Sequence, residues 1–100
     1  MDKYKVKISP RAIRDLDGIY QYIAMEKQAP EIARRQAERI KHAILQLNTF
    51  PYACQERMEG RYAGQGYRQL LIDNFIAIFR VEETEKTVYV LTVQYQRRGI

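Results

Sequence analysis

The chain has 100 residues, 46% of them hydrophobic, which is enough for one core and predicts a single domain over residues 1–100. No apolar run approaches the roughly 18 residues of a membrane span, and the first residues lack the apolar run of a secretory signal. Cys54 is the only cysteine, which excludes an internal disulfide. We therefore expect a cytoplasmic protein without membrane contact.

The charge balance favours acidic partners. Lys and Arg number 17 against 12 Asp and Glu, which gives a formal net charge of +5. This excess would favour binding to nucleic acid or to an acidic protein surface, and it is equally consistent with a basic surface that contacts only solvent. His42 is the only histidine, too few for a metal cluster. Gly60, Gly64 and Gly66 follow no strand and precede no Gly-Lys-Ser/Thr motif, so we expect turns there and neither metal nor cofactor.

The first elements are a strand and a helix. Tyr4, Val6 and Ile8 alternate with lysines, which predicts a short strand, and Ser9-Pro10 is typical of a helix start. Apolar residues then recur every three or four positions to about Lys27. The predicted buried stripe is Ile13, Leu16, Ile19 or Tyr20, and Ile23. Gly18 interrupts this helix, and we interpret it as a mark of close helix packing.

A second helix is predicted between Pro30 and Phe50-Pro51, with Glu31 at the positive end of its dipole. Its buried stripe is Ala33, Ala37, Ile40, Ile44 and Leu47. The short link around Pro30 favours an antiparallel helical hairpin. Residues 51–66 show no clean period and are predicted to form a loop with a functional role.

Three strands are predicted in the last third of the chain. Residues 68–72, 75–81 and 88–95 are apolar and rich in β-branched and aromatic side chains, with a tight turn at Asp73-Asn74 and a looser polar turn over 82–87. The strand 75–81 is apolar on both faces, as a central strand should be. The pattern predicts an α+β fold of order β-α-α-β-β-β, in which the helical hairpin packs on a small, mainly antiparallel sheet that the first strand joins.

These turns also fix a register. A two-residue turn at Asp73-Asn74 pairs Ile72 with Phe75 and Arg68 with Phe79, and a turn centred near Thr84-Glu85 pairs Phe79 with Val90. Arg97 lies seven residues beyond Val90, roughly 23 Å along a strand. We therefore expect Arg68 and Arg97 at opposite ends of the sheet, unable to hold one phosphate.

The ordered set of motifs resembles the RelE/ParE toxin family over nearly the whole chain. The resemblance begins with Ser9-Pro10-Arg11-Ala12, Asp15-Leu16 and Tyr22-Ile23, continues with Leu47 and Phe50-Pro51, and is clearest in Tyr67-Arg68-Gln69-Leu70, residues 74–81, 88–91 and 94–98. It implies a toxin of a type II toxin–antitoxin system that inhibits growth or stabilises plasmids. It also implies a cognate antitoxin that wraps the toxin in a hetero-oligomer, and a target that is either DNA gyrase or messenger RNA on the ribosome.

The RNase branch of that family implies a metal-independent endoribonuclease with an arginine directly after an aromatic residue at the start of the third strand. In this chain Phe75 is followed by Ile76, so that place is apolar. Under the RNase alternative, Arg97 would hold phosphate and Tyr95 would assist proton transfer.

We favour a ParE-like toxin that acts by binding, with DNA gyrase as its candidate target. Its predicted contact residues are Arg57, Arg61, Arg68, Arg97 and Arg98. A third hypothesis, a non-toxic basic module that binds nucleic acid, rests on charge alone and predicts binding that weakens steeply with salt.

Overall fold

The computed structural model describes residues 3–96, and its first elements are a strand and a helix. β1 spans Lys5–Ile8 and α1 spans Pro10–Gln21, continued by a π-helical turn over Tyr22–Glu26. Ser9 caps α1, since its hydroxyl oxygen accepts the backbone N–H of Ala12 at 3.0 Å, and Pro10 takes the first helical position. The predicted helix start is therefore confirmed.

The second helix, α2, spans Pro30–Leu45 and ends in a 3₁₀ turn over Gln46–Asn48. It lies beside α1 as the expected hairpin, with α1 packed over the end of the sheet nearer β1 and α2 over the opposite end. Ala33, Ile40 and Ile44 are fully buried and Leu47 nearly so, which confirms most of the predicted stripe. The prediction for α1 was partly wrong, because Ala12 is the buried residue of that turn and Ile13 is 57% exposed.

The sheet has five strands in the order β1-β5-β4-β3-β2. β2 is Gln55–Glu56, β3 is Arg68–Ile72, β4 is Phe75–Glu82 and β5 is Thr87–Tyr95. β1 runs parallel to β5, and the other neighbours are antiparallel. The order β-α-α-β-β-β is confirmed, with one addition: the predicted loop 51–66 contains the two-residue β2 and 3₁₀ turns at Pro51–Ala53 and Gly60–Tyr62.

The predicted register is confirmed at every pair. Ile72 lies opposite Phe75, Arg68 opposite Phe79, and Phe79 opposite Val90. Beyond Val90 the pairing shifts, because Ile78 lies opposite Thr92 and leaves Leu91 as an extra residue. This β-bulge bends β5 near its end.

The core lies between the helical hairpin and one face of the sheet. Phe75, Ala77 and Phe79 of β4 pack there with Val88, Val90 and Val93 of β5. The opposite face of the sheet has no helix over it among the described residues, and we call it the open face. Ile76 and Ile78 of β4 point to it because side chains alternate along a strand.

The turn between β3 and β4 is tied to α2. Asp73 has a positive φ of 54°, and its carboxylate accepts two hydrogen bonds from the Arg39 guanidinium, at 2.8 and 3.0 Å, and one from Gln36 at 2.9 Å. The hydrogen bond from Arg39, with a further contribution from that of Gln36, lowers the pKa of Asp73. The helix thereby holds the turn that sets the β3–β4 register.

Gly18 does not mark close packing, contrary to the interpretation above. A Cβ built on Gly18 would meet no atom within 4 Å. Because alanine is about 1 kcal/mol more favourable than glycine inside a helix, we expect Gly18→Ala to raise the free energy of unfolding by that amount. Urea denaturation of both proteins measures it, and a loss of stability would show that glycine is required by a contact at this position.

Candidate functional site

One candidate site is a polar groove on the open face, where β4 begins and β5 ends. We call it the sheet groove; it holds about 600 Å³, and its main lining residues are Gln55, Arg57, Gln69, Ile76, Gln94 and Tyr95. The register builds it, since Ile76 lies opposite both Leu71 of β3 and Gln94 of β5. Neutral amides and one isoleucine therefore occupy the strand positions at its floor.

Arg57 is the only cation lining the sheet groove among the described residues, and it is already engaged. Its Nη1 donates to Oε1 of Gln69 at 2.8 Å and its Nε donates to the carbonyl of Glu59 at 3.1 Å. Glu56 and Glu59 also line the groove. Two carboxylates against one guanidinium make this a poor site for a phosphate.

Arg68 lies away from the sheet groove. It sits opposite Phe79, so it shares the helix-covered side of the sheet. Its Nη1 donates to the carbonyl of Cys54 at 2.6 Å, and its guanidinium lies 5.1 Å from the ring centre of Tyr52. Arg68 therefore holds the segment before β2 against the sheet.

The other predicted site residues are dispersed or undescribed. Arg61 is exposed in the Gly60–Tyr62 turn and does not line the sheet groove. Tyr95 is 65% exposed, lies opposite Phe75 and packs edge-on against that ring with centres 5.7 Å apart. Arg97 and Arg98 lie outside the described residues. Of the predicted residues that the structure describes, only Arg57 and Tyr95 share a groove.

A second groove, which the sequence analysis missed, lies between α1 and the end of the sheet. We call it the helix groove; it holds about 730 Å³. Its apolar floor is formed by Ile19, Ile23, Phe75 and Val93, and Arg14, Lys27 and Tyr95 stand at its rim. Tyr95 borders both grooves, so the two meet at the end of β5.

The helix groove follows from residues spaced four apart on α1. Arg14, Gly18 and Tyr22 all line it, as i, i+4 positions on one helix face should. Because Gly18 has no side chain, the apolar floor below it stays accessible. This spacing was a signal in the sequence, but a glycine inside a helix more often indicates packing than an opening.

At the far end of the sheet a carboxylate network joins the β4–β5 turn to β1 and the Pro51–Ala53 turn. Glu83 Oε1 accepts the phenol groups of Tyr4 at 2.9 Å and Tyr52 at 2.8 Å, and Oε2 accepts from Lys86. The hydrogen bond from Lys86, followed by those from Tyr52 and Tyr4, lowers the pKa of Glu83 to about 2. This end of the sheet is closed by its own side chains.

The Glu83 network predicts a pH dependence of stability. A carboxylate with a depressed folded-state pKa stabilises the fold above its unfolded value near 4.5 and loses that contribution as pH falls towards about 2. We therefore expect the urea midpoint of the native protein to fall more than that of Glu83→Gln over this window. Parallel pH profiles of the two proteins would contradict this role.

Two general features of the described residues limit the chemistry. No helix over residues 3–96 has the length and apolar character to cross a membrane. Within the same residues no three His, Cys, Asp or Glu side chains gather where they could hold a metal ion.

Comparisons with solved structures identify the class. The chromosomal ParDE toxin–antitoxin system of P. aeruginosa gives a TM-score of 0.76 at 24% identity, covering 95% of this chain and 98% of the other. The RelBE2 complex of Mycobacterium tuberculosis gives 0.66 at 21% identity over 95% and 93%, and the RelE–RelB complex of Pyrococcus horikoshii gives 0.66 at 15% over 97% and 99%. The chain therefore has the fold shared by RelE and ParE toxins.

Comparison of the sequence with protein families assigns the chain to one family within this class. Residues 6–100 match the family described as the ParE toxin of the type II toxin–antitoxin system parDE. The chain belongs to the ParE toxin family. A sequence search among curated proteins finds no significant match.

Proposed function

We propose that this toxin inhibits growth by binding a protein target, and that DNA gyrase is that target. The observation that carries the proposal is the sheet groove, whose strand positions hold Gln69, Ile76 and Gln94 where RNA cleavage would require cations. On this proposal residues 1–100 act as one toxin domain in the cytoplasm, where the target is found. The exposed guanidiniums, among them Arg61, serve as contacts.

The chemistry of RNA cleavage supports this choice. Cleavage without a metal needs a base for the 2′-hydroxyl, a cation for the developing phosphorane charge and an acid for the leaving oxygen. In the sheet groove Arg57 is bound to Gln69 and Glu59, and Arg68 is bound to Cys54 on the other side of the sheet. The exposed groups that line this groove are the Tyr95 phenol, the Glu56 and Glu59 carboxylates and neutral amides, so among the described residues no unengaged cation is available there for the phosphorane charge.

The experiment compares two targets with one protein preparation. Purified toxin is titrated into a gyrase supercoiling reaction, and separately into a translating ribosome reaction in which RNA ends are mapped. We expect inhibition of supercoiling and no new RNA ends. RNA cleavage that disappears in both Tyr95→Phe and Arg57→Gln would overturn the proposal in favour of an RNase.

An antitoxin is the second partner we propose, seated in the helix groove. That groove offers an apolar floor with Arg14 and Lys27 at its rim, and Lys27 is held over the ring of Tyr22 at 5.6 Å. An amphipathic segment with apolar anchors and acidic neighbours complements this arrangement. We expect a small reading frame beside the toxin gene to encode this antitoxin, and co-purification of the two proteins tests it.

A further inference from the structure

The open face carries a row of cations at the end away from the two grooves. Lys7 of β1 and Arg80 of β4 both lie opposite Tyr89 of β5, so the three side chains form one row across three strands. Arg80 follows the core residue Phe79, which places the row on the open face. Lys5 lies two residues before Lys7 on the same face. We call Lys5, Lys7, Arg80 and Tyr89 the basic row.

The ring of Tyr89 makes cation–π contacts with Lys7 and Arg80. The Arg80 guanidinium lies 4.6 Å from its ring centre and the Lys7 ammonium 5.9 Å, so one aromatic ring attracts positive charges from the strands on both sides of it. The Tyr89 hydroxyl donates to Glu85 at 2.7 Å, which fixes the ring. Tyr89 thereby orders a cation on each side of it before any ligand arrives.

The positive charge of the row is only partly neutralised. Arg80 forms an ion pair with Glu82 at 3.0 Å, in which both side chains are about 40% exposed, and the Glu85 carboxylate that accepts the Tyr89 hydroxyl is a second negative charge beside the row. Lys5 and Lys7 are exposed, and no carboxylate within residues 3–96 forms an ion pair with either. Lys3, also exposed, adds a further positive charge next to the strand. A partner that brings closely spaced negative charges would therefore gain at this surface.

We propose that the basic row binds the phosphate backbone of nucleic acid. Lysines at i and i+2 on a strand stand roughly 7 Å apart, a spacing that lets each meet a separate phosphate, while Arg80, which shares its charge with Glu82, adds a third positive group beside them. This site is independent of the proposed target. Along β4, Arg80 lies four residues from Ile76 of the sheet groove, roughly 13 Å.

Fluorescence anisotropy of the full chain with a labelled DNA duplex, and with one of its strands, tests the proposal between about 50 and about 200 mM salt. We expect Lys5→Gln with Lys7→Gln to weaken binding about tenfold and to reduce the slope of log K against log salt by about 2. The matched control, Arg35→Gln with Lys41→Gln, removes two exposed cations from α2 instead. Equal losses in the two double variants would overturn the proposal, because net charge alone would explain them.

A third variant tests whether binding depends on how the cations are positioned or only on their number. Tyr89→Leu keeps the net charge but removes the ring that holds Lys7 and Arg80, and we expect it to weaken binding severalfold, with circular dichroism used to confirm folding. Unchanged binding by the folded variant would contradict the arrangement. Binding of polyglutamate without binding of DNA would show an acidic protein to be the partner and would likewise overturn the proposal.

Discussion

Replacement of Asp15 by alanine is expected to lower the free energy of unfolding by about 2–3 kcal/mol, because two partly buried donors lose their acceptor together. Asp15 Oδ2 accepts the hydroxyl of Thr92 at 2.5 Å and the backbone N–H of Val93 at 3.0 Å. Both donors lie directly after the extra residue Leu91. A carboxylate on α1 thus accepts one backbone N–H and one side-chain hydroxyl beside the β-bulge.

Asp17→Ala is the matched control, since it removes a carboxylate from the same helix at an exposed position. We expect it to change the free energy of unfolding by no more than about 0.5 kcal/mol. Urea denaturation followed by circular dichroism measures both variants. If Asp15→Ala were no more destabilising than Asp17→Ala, the bulge would not depend on α1.

The β-bulge at Leu91 explains why the end of β5 was harder to predict from the sequence than its beginning. Pairing from Ile72–Phe75 to Phe79–Val90 follows from two turn positions, which the polar residues between the strands reveal. If side chains after Val90 simply alternated between the two faces of the sheet, the next residue on the core face would be Thr92, which is polar. The extra residue lets Val93 follow Val90 into the core, because burying valine is worth more than keeping the alternation.

The candidate sites were predictable only in part, because a site depends on which side chains meet across elements. The apolar residue after Phe75 was visible in sequence, and the sheet groove contains Ile76 as that observation requires. The hydrogen bond from Arg68 to the carbonyl of Cys54 was not visible, since it depends on how residues 51–54 fold back over β3. For the same reason the pairing of Lys7 and Arg80 around Tyr89 emerges only once β1 is known to lie beside β5.

A side chain that fills the helix groove is expected to weaken binding of the antitoxin while leaving the toxin active. Gly18→Glu places a long acidic side chain over the floor formed by Ile19, Ile23 and Phe75, and a Cβ built on Gly18 would meet no atom within 4 Å. The new carboxylate blocks an apolar anchor and repels an acidic segment. We expect the affinity for the antitoxin to fall about 100-fold, equivalent to about 2.7 kcal/mol. Folding should not suffer, because glutamate favours a helix more than glycine does.

Gln21→Glu is the control for this variant, because it adds the same charge to the same helix at an exposed residue that does not line the helix groove. Calorimetry with the neighbouring gene's product measures affinity, and induced expression with and without that gene measures growth. We expect Gly18→Glu to remain toxic and to escape neutralisation, while Gln21→Glu stays neutralised. Loss of toxicity in folded Gly18→Glu would instead assign the helix groove to the target, since only a contact needed for inhibition could be blocked there.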